Sequence, residues 1–237
     1  MDNQKQSLLS KSTPWLLFFI VVVIGCTAYF SDQNWEISAV VSSGLSIFPL
    51  LGIVAWSIMW THFVYGALRI KYRLPKNKLY SVSSGWLVLI LILLHPGLFF
   101  FEMNRTTQLL PPKSILLYTG EGLLWAVLIA ELALLIFLSY EVFNRIRDKA
   151  IIKKNWFWIS LSQMLAMTLI FVHSLALGQN LKDGWFRYYW ILLFVILAVC
   201  FAIIFKTELK KRQTQSLPEP PQQTPPVSNP PQNSVIQ

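Results

Sequence analysis

Apolar and polar positions in this chain do not alternate; they come in long blocks. Six apolar segments stand out, at about 14–30, 38–65, 85–101, 121–143, 156–178 and 185–205, with short polar stretches between them. Each is long enough to cross a hydrocarbon core about 30 Å thick as a helix, and the second is long enough to need tilt. Unpaired backbone is too costly in lipid for anything but helices or a closed barrel, and barrel strands would show an alternation that these runs lack. The pattern predicts an all-α polytopic membrane protein, a six-helix bundle over residues 14–205. Residues 1–13 form a leading polar segment, and residues 206–237 a basic stub with a tail.

Composition agrees with the pattern. Of 237 residues 54% are hydrophobic and 13% charged, against about a quarter charged in a soluble domain. Six spans and their loops use nearly the whole length, leaving no room for a soluble nucleotide-binding or catalytic domain. The formal charge is nevertheless +9, and its distribution carries information. Lys5 and Lys11 precede the first segment. Arg69, Lys71, Arg73, Lys76 and Lys78 follow the second; Arg145, Arg147, Lys149, Lys153 and Lys154 follow the fourth; Lys206, Lys210, Lys211 and Arg212 follow the sixth. The opposite side holds only Arg105, Lys113, Lys182 and Arg187. The positive-inside rule then predicts a plasma-membrane protein with both termini cytoplasmic. Topology explains most of the excess charge, so no nucleic-acid partner is expected; the partner is the lipid bilayer.

Indoles mark the expected boundaries, with Trp15, Trp86, Trp156 and Trp158 near inner ends and Trp35, Trp185 and Trp190 near outer ones. The seven prolines between Gln213 and Gln237 predict a disordered, partly polyproline-II tail, either simply solvated or docking on an aromatic groove. The first segment is read as a retained helix; the alternative is a cleaved signal ending at a lipid-modified Cys26. Cys26 and Cys200 fall at different depths, which excludes a disulfide between them.

The chemistry rests on histidines. His62, His95 and His173 all lie within apolar segments, where ionisable side chains are functional candidates. The plainer reading of any one of them is a hydrogen bond to a neighbouring helix. Segments 3 and 5 run in the same direction, and His95 and His173 fall six and five residues before their outer ends. Both imidazoles are therefore expected about 8–9 Å below the outer boundary. Two histidines at one depth suit a haem, whose iron takes two axial imidazoles inside an apolar slot. Zinc fits less well, because it wants four ligands and no third histidine or cysteine shares this depth. His62, near the inner end of segment 2, stands outside the pair.

The stretch from Tyr80 through Ser81, Gly85 and Trp86 to His95 resembles helix 3 of the ferric-reductase-like transmembrane family. That family includes the NADPH-oxidase membrane domain and the haem subunit of the methionine sulfoxide reductase system. Its helix 3 carries a histidine, a glycine four residues on and a second histidine fourteen residues after the first. Gly85 and His95 match, and Ser81 stands at the first histidine position. Similarly, Trp156 and His173 fit the family's helix 5, with Ser160 where another histidine would be. The similarity covers roughly residues 38–205. The resemblance implies two stacked haems, of which this chain has ligands only for the outer one. It also implies that flavin and nicotinamide chemistry resides elsewhere, here on a separate chain such as a flavin reductase.

The expected function is thus a b-type cytochrome-like protein binding one haem between helices 3 and 5. It would exchange electrons with an extracytoplasmic redox protein or a membrane quinone, because about 21 Å of helix separates Ser81 from His95 without a relay. Pro96 removes a helix hydrogen bond beside His95 and is expected to kink the helix. Glu131, mid-segment, is expected to be protonated or hydrogen-bonded to another helix, with proton uptake as the sharper role. Among the outer cations Arg187, flanked by Phe186 and Tyr188, is the preferred partner for a haem propionate. Two other classes compete: a haem-free scaffold or assembly protein of the same fold, and a proton-coupled solute transporter using Glu131. No inverted repeat supports the transporter.

Overall fold

The computed structural model describes residues 3–36 and 44–215. The first residues of the second predicted segment, and the proline-rich tail from 216 onward, lie outside the described residues. Six long helices account for the fold: α1 (Asn3–Asp32), α2 (Gly44–Tyr72), α3 (Lys78–Thr107), α4 (Leu124–Arg145), α5 (Ala150–Leu177) and α6 (Trp185–Gln215). All six carry a stretch long and apolar enough to cross a membrane. A short helix (Lys113–Thr119) and two single 3₁₀ turns complete the connections, and no strand occurs among the described residues.

The helices outrun the apolar segments. Spanning α3 begins at Lys78 rather than residue 85 and ends at Thr107 rather than 101, and α6 continues through Gln215, where tail was expected. Hydropathy marks where lipid ends, whereas backbone hydrogen bonding continues until a cap stops it. At the start of α3 the Asn77 side chain accepts the Tyr80 N–H at 3.0 Å. At the end of α5 a Cβ on Gly178 would collide with the Ser174 carbonyl oxygen, so only glycine closes that helix.

The loops between helices are short, so neighbours run antiparallel. Lys and Arg collect at one end of the bundle, called the basic end below; the other is the far end. Central α2 packs against α1, α3 and α6, while α4 packs on α5, and α5 reaches α6. Close approach of α1 to α2 depends on Gly25, where a Cβ would meet Ile53 at 2.9 Å. The core joining α2, α5 and α6 is aromatic. Trp56 and Trp190 rings lie 4.2 Å apart, and Phe171 stacks on Phe194 at 4.0 Å. The Trp60 indole donates to the Leu193 carbonyl at 2.7 Å. Trp190, expected at the membrane interface, is only 1% exposed and donates to Ser174 Oγ at 2.9 Å. An indole a turn inside a helix end serves packing as readily as it serves a headgroup. Trp35, Trp86, Trp158 and Trp185 do lie on the surface. At the basic end cations cover indoles: Arg147 lies over Trp156 at 4.0 Å and Arg145 over Trp86 at 5.3 Å.

One consequence of this packing order positions the site. Helices α3 and α5 each lie on their own hairpin partner, α2 and α4, and touch one another only sparsely. A cleft therefore runs between the α2–α3 and α4–α5 hairpins.

Candidate functional site

His95 and His173 occupy equivalent places in the two hairpins. His95 Nδ1 lies 2.6 Å from the Phe48 carbonyl oxygen, in the first turns of α2, and His173 Nδ1 lies 2.9 Å from that of Ala126, in the first turn of α4. Donor and acceptor are 47 residues apart in both hairpins. Since both acceptors belong to the far-end turns of their helices, the imidazoles sit at that end of the cleft.

These bonds decide the state of each ring. A carbonyl oxygen only accepts, so Nδ1 carries the hydrogen and Nε2 keeps its lone pair. The same Nδ1-to-carbonyl contact orients metal-ligating histidines in general. Gly52, one turn further along α2 from Phe48, lies against the His95 ring: a Cβ there would come within 2.9 Å of the imidazole, and the Phe48 ring lies beside it with centroids 5.2 Å apart. Tyr118, from the short Lys113–Thr119 helix, covers Phe48 and Phe99 at 6.1 and 4.9 Å. Both histidines remain half-buried, so neither ring is sealed by packing. No third His, Cys, Asp or Glu joins them among the described residues. The donor set, two oriented imidazoles each with Nε2 free of the Nδ1 bond, fits the chemistry of a bis-imidazole haem.

The other predicted residues do not join the pair. Arg187 is exposed at the start of α6 and donates to the Lys182 carbonyl at 2.7 Å; among the described residues no bond links it to either histidine. Its neighbours Phe186 and Trp190 take the inward face, which turns Arg187 outward. Glu131 is exposed on α4 and has no hydrogen bond or ion pair among the described residues, so the expected interhelical bond is not formed. The inward face of α4 carries Ala126, Ala133, Phe137 and Tyr140, and Glu131 falls on the opposite side. Helix α3 runs unbroken through Pro96. Cys26 and Cys200 are both free thiols.

Toward the basic end the cleft opens into a cavity of about 360 Å³, to which all five helices α2–α6 contribute lining. Ser81 of α3 and Ser160 of α5 both line it, together with His62 of α2. Here the imidazole is used differently. Ser84 donates to the Tyr80 carbonyl, so its oxygen is left to accept from His62 Nε2 at 2.8 Å. His62 thus carries its hydrogen on Nε2 and keeps Nδ1 as an acceptor. A second relay lies behind it: Thr61 donates to the Ile58 carbonyl at 2.7 Å and is also bonded to the Tyr80 hydroxyl. His62 stands apart from the pair, as its depth in the second segment predicts, but nothing in the sequence signals the cavity. That the two serines line one space follows only from the packing of the hairpins.

The chain matches no protein-family model, no curated protein and no solved structure.

Proposed function

We propose that this protein is a b-type cytochrome-like membrane protein that holds one haem in the cleft between α3 and α5, at the far end of the bundle. His95 and His173 would hold it, each through Nε2. The observation that carries this reading is the matched pair of Nδ1-to-carbonyl bonds, which leaves two lone pairs at one level of a sparsely packed cleft. The resemblance of the segments around His95 and His173 to the ferric-reductase-like family points the same way.

A bis-histidine haem supplies one-electron transfer with no open coordination position. The chain's own residues hold and orient the ligands. Phe48 and Ala126 fix the tautomers through their carbonyls, Gly52 admits the His95 ring against α2, and Phe48 and Phe99 keep the far-end side apolar. With the basic end cytoplasmic, as the positive-inside rule requires, the haem would face the outer leaflet of the plasma membrane. Its electron partner would be an extracytoplasmic redox protein or a membrane quinone, with flavin chemistry on a separate chain.

The reading is tested by a dithionite-reduced minus oxidised spectrum of protein purified from haem-replete cells. A sharp low-spin α-band, lost in both His95→Ala and His173→Ala, is the expected outcome. A folded preparation without absorbance would leave the histidines as plain interhelical bonds in a haem-free scaffold.

A further inference from the structure

Helices α2 and α6 run side by side in the same direction to the basic end, and their turns face each other in register. Phe63 packs edge-on against Phe201 with ring centroids 5.0 Å apart. One turn further on, Gly66 faces Ile204, whose Cδ1 lies 4.0 Å from where a Cβ would stand. Another turn on, Arg69 and Ile70 of α2 stand across from Glu208 of α6. Because Gly66 has no side chain, the seam opens beyond the phenylalanine pair. The result is a groove of about 320 Å³, lined by Gly66, Arg69, Ile70, Ile204 and Glu208.

Arg69 holds an unspent donor in this groove. Its Nε–H is buried and has no hydrogen-bond partner, and its guanidinium makes no ion pair among the described residues. Only the Tyr65 ring supports it, with the centroid 6.0 Å away. Other arginines are engaged differently: Arg105 and Arg145 pair with Glu102 and Glu141 at 2.8 and 3.3 Å, and Arg187 donates to the Lys182 carbonyl. A guanidinium N–H taken out of water without an acceptor loses its hydration for nothing in return. An occupant with an acidic oxygen would restore the bond. Depth narrows the choice, since Arg69 lies in the last turn of α2 and Glu208 just inside the end of the apolar span of α6. At that level of a bilayer the abundant acceptor is the lipid phosphate, whose oxygens match the guanidinium fork.

The opposite wall selects among phospholipids. No ion pair joins Arg69 to Glu208. A carboxylate accepts at about four lone-pair sites, so Glu208 can receive an ammonium in addition to any protein donor. One cation and one carboxylate across an apolar floor match a headgroup that carries both charges. A net-anionic headgroup would meet Glu208 with nothing to offset it. A trimethylammonium has no N–H to donate.

We propose that the α2–α6 groove holds one phosphatidylethanolamine of the leaflet at the basic end, with its phosphate on Arg69, its ammonium on Glu208 and its first acyl carbons against Gly66 and Ile204. The proposal does not depend on the haem reading.

The test uses full-length protein, delipidated in detergent and titrated with dioleoyl phosphatidylethanolamine, phosphatidylglycerol or phosphatidylcholine, with bound lipid read by native mass spectrometry. One phosphatidylethanolamine per chain is expected to bind about 10-fold more tightly than either alternative, the worth of one charge-assisted hydrogen bond. Arg69→Gln should weaken it by about the same factor. Gly66→Leu should abolish the preference, because its Cβ makes an ordinary contact with Ile204 and the rest of the side chain fills the groove. Glu208→Gln should raise phosphatidylglycerol to at least the level of phosphatidylethanolamine, an inversion that a loss of structure would not produce. Equal binding of the three lipids, or a preference for phosphatidylglycerol in the parent protein, would overturn the proposal. So would binding unaffected by Gly66→Leu, or an unaltered lipid order in Glu208→Gln.

Discussion

Fourteen residues separate Ser81 from His95 on α3, and thirteen separate Ser160 from His173 on α5. The same two helices therefore define two levels of one cleft. At the far level the polar groups are rigidly pre-set: each imidazole is tied by Nδ1 to a carbonyl of the neighbouring helix, with Nε2 spare. At the basic level the side chains of Ser81 and Ser160 make no hydrogen bond among the described residues, and they line a cavity. Rigid, oriented nitrogens with a free lone pair suit a ligand held by coordination. Unbonded hydroxyls in open space suit one held by exchangeable hydrogen bonds. Which chemistry each level supports is thus decided by how its side chains are already engaged, more than by how polar it is.

Two glycines probe that contrast most sharply. Gly52 lies against His95, where a Cβ would come within 2.9 Å of the ring, while Gly85 faces open space in the cavity. Gly52→Leu should displace the imidazole, eliminate the haem band and lower stability by about 1–3 kcal/mol through overpacking. Gly85→Leu should keep the haem band and leave the apparent Tm in detergent unchanged or raised. Equal effects from the two substitutions, read as melting and absorbance, would erase the distinction between the levels.

A middle-sized effect is expected from the seam that holds the cleft in shape. Trp60→Phe removes the donor to the Leu193 carbonyl while keeping most of the ring. It should cost about 0.5–1.5 kcal/mol, the net worth of one hydrogen bond, because the Leu193 carbonyl keeps its partner within α6. Loss of stability in thermal denaturation should come without a change in the position of the haem band. The smallest effect belongs to Glu131. Because its side chain lies on the lipid-facing surface, Glu131→Leu should be neutral or stabilising. It should also leave the pH dependence of the haem potential as it is in the parent protein. A changed dependence would return Glu131 to the redox path.

The number of helices was legible in the chain because lipid imposes long apolar runs. The inward faces were not. A helix surrounded by lipid and by other helices is apolar all round, so no periodic polar stripe distinguishes its buried side. Glu131 was therefore assigned an interhelical role that its outward direction does not allow, and Trp190 an interfacial one although it is buried in the core. His95 and His173 stood out because histidine is rare in such segments. Their partners, Phe48 and Ala126, bond through backbone carbonyls, which every residue possesses and no sequence pattern marks. The cavity escaped notice for a related reason: serine in an apolar helix reads as a local back-bonding residue. Only the packed hairpins separate Ser81 and Ser160 from Ser162 and Ser174.

The central claim is that His95 and His173 ligate one haem, and the haem-to-chain ratio read with the reduced-minus-oxidised spectrum tests it most directly. The account predicts one low-spin haem per chain, absent from each single His→Ala variant and retained in Gly85→Leu. A folded protein without haem, or a band that survives replacement of both histidines, would contradict it.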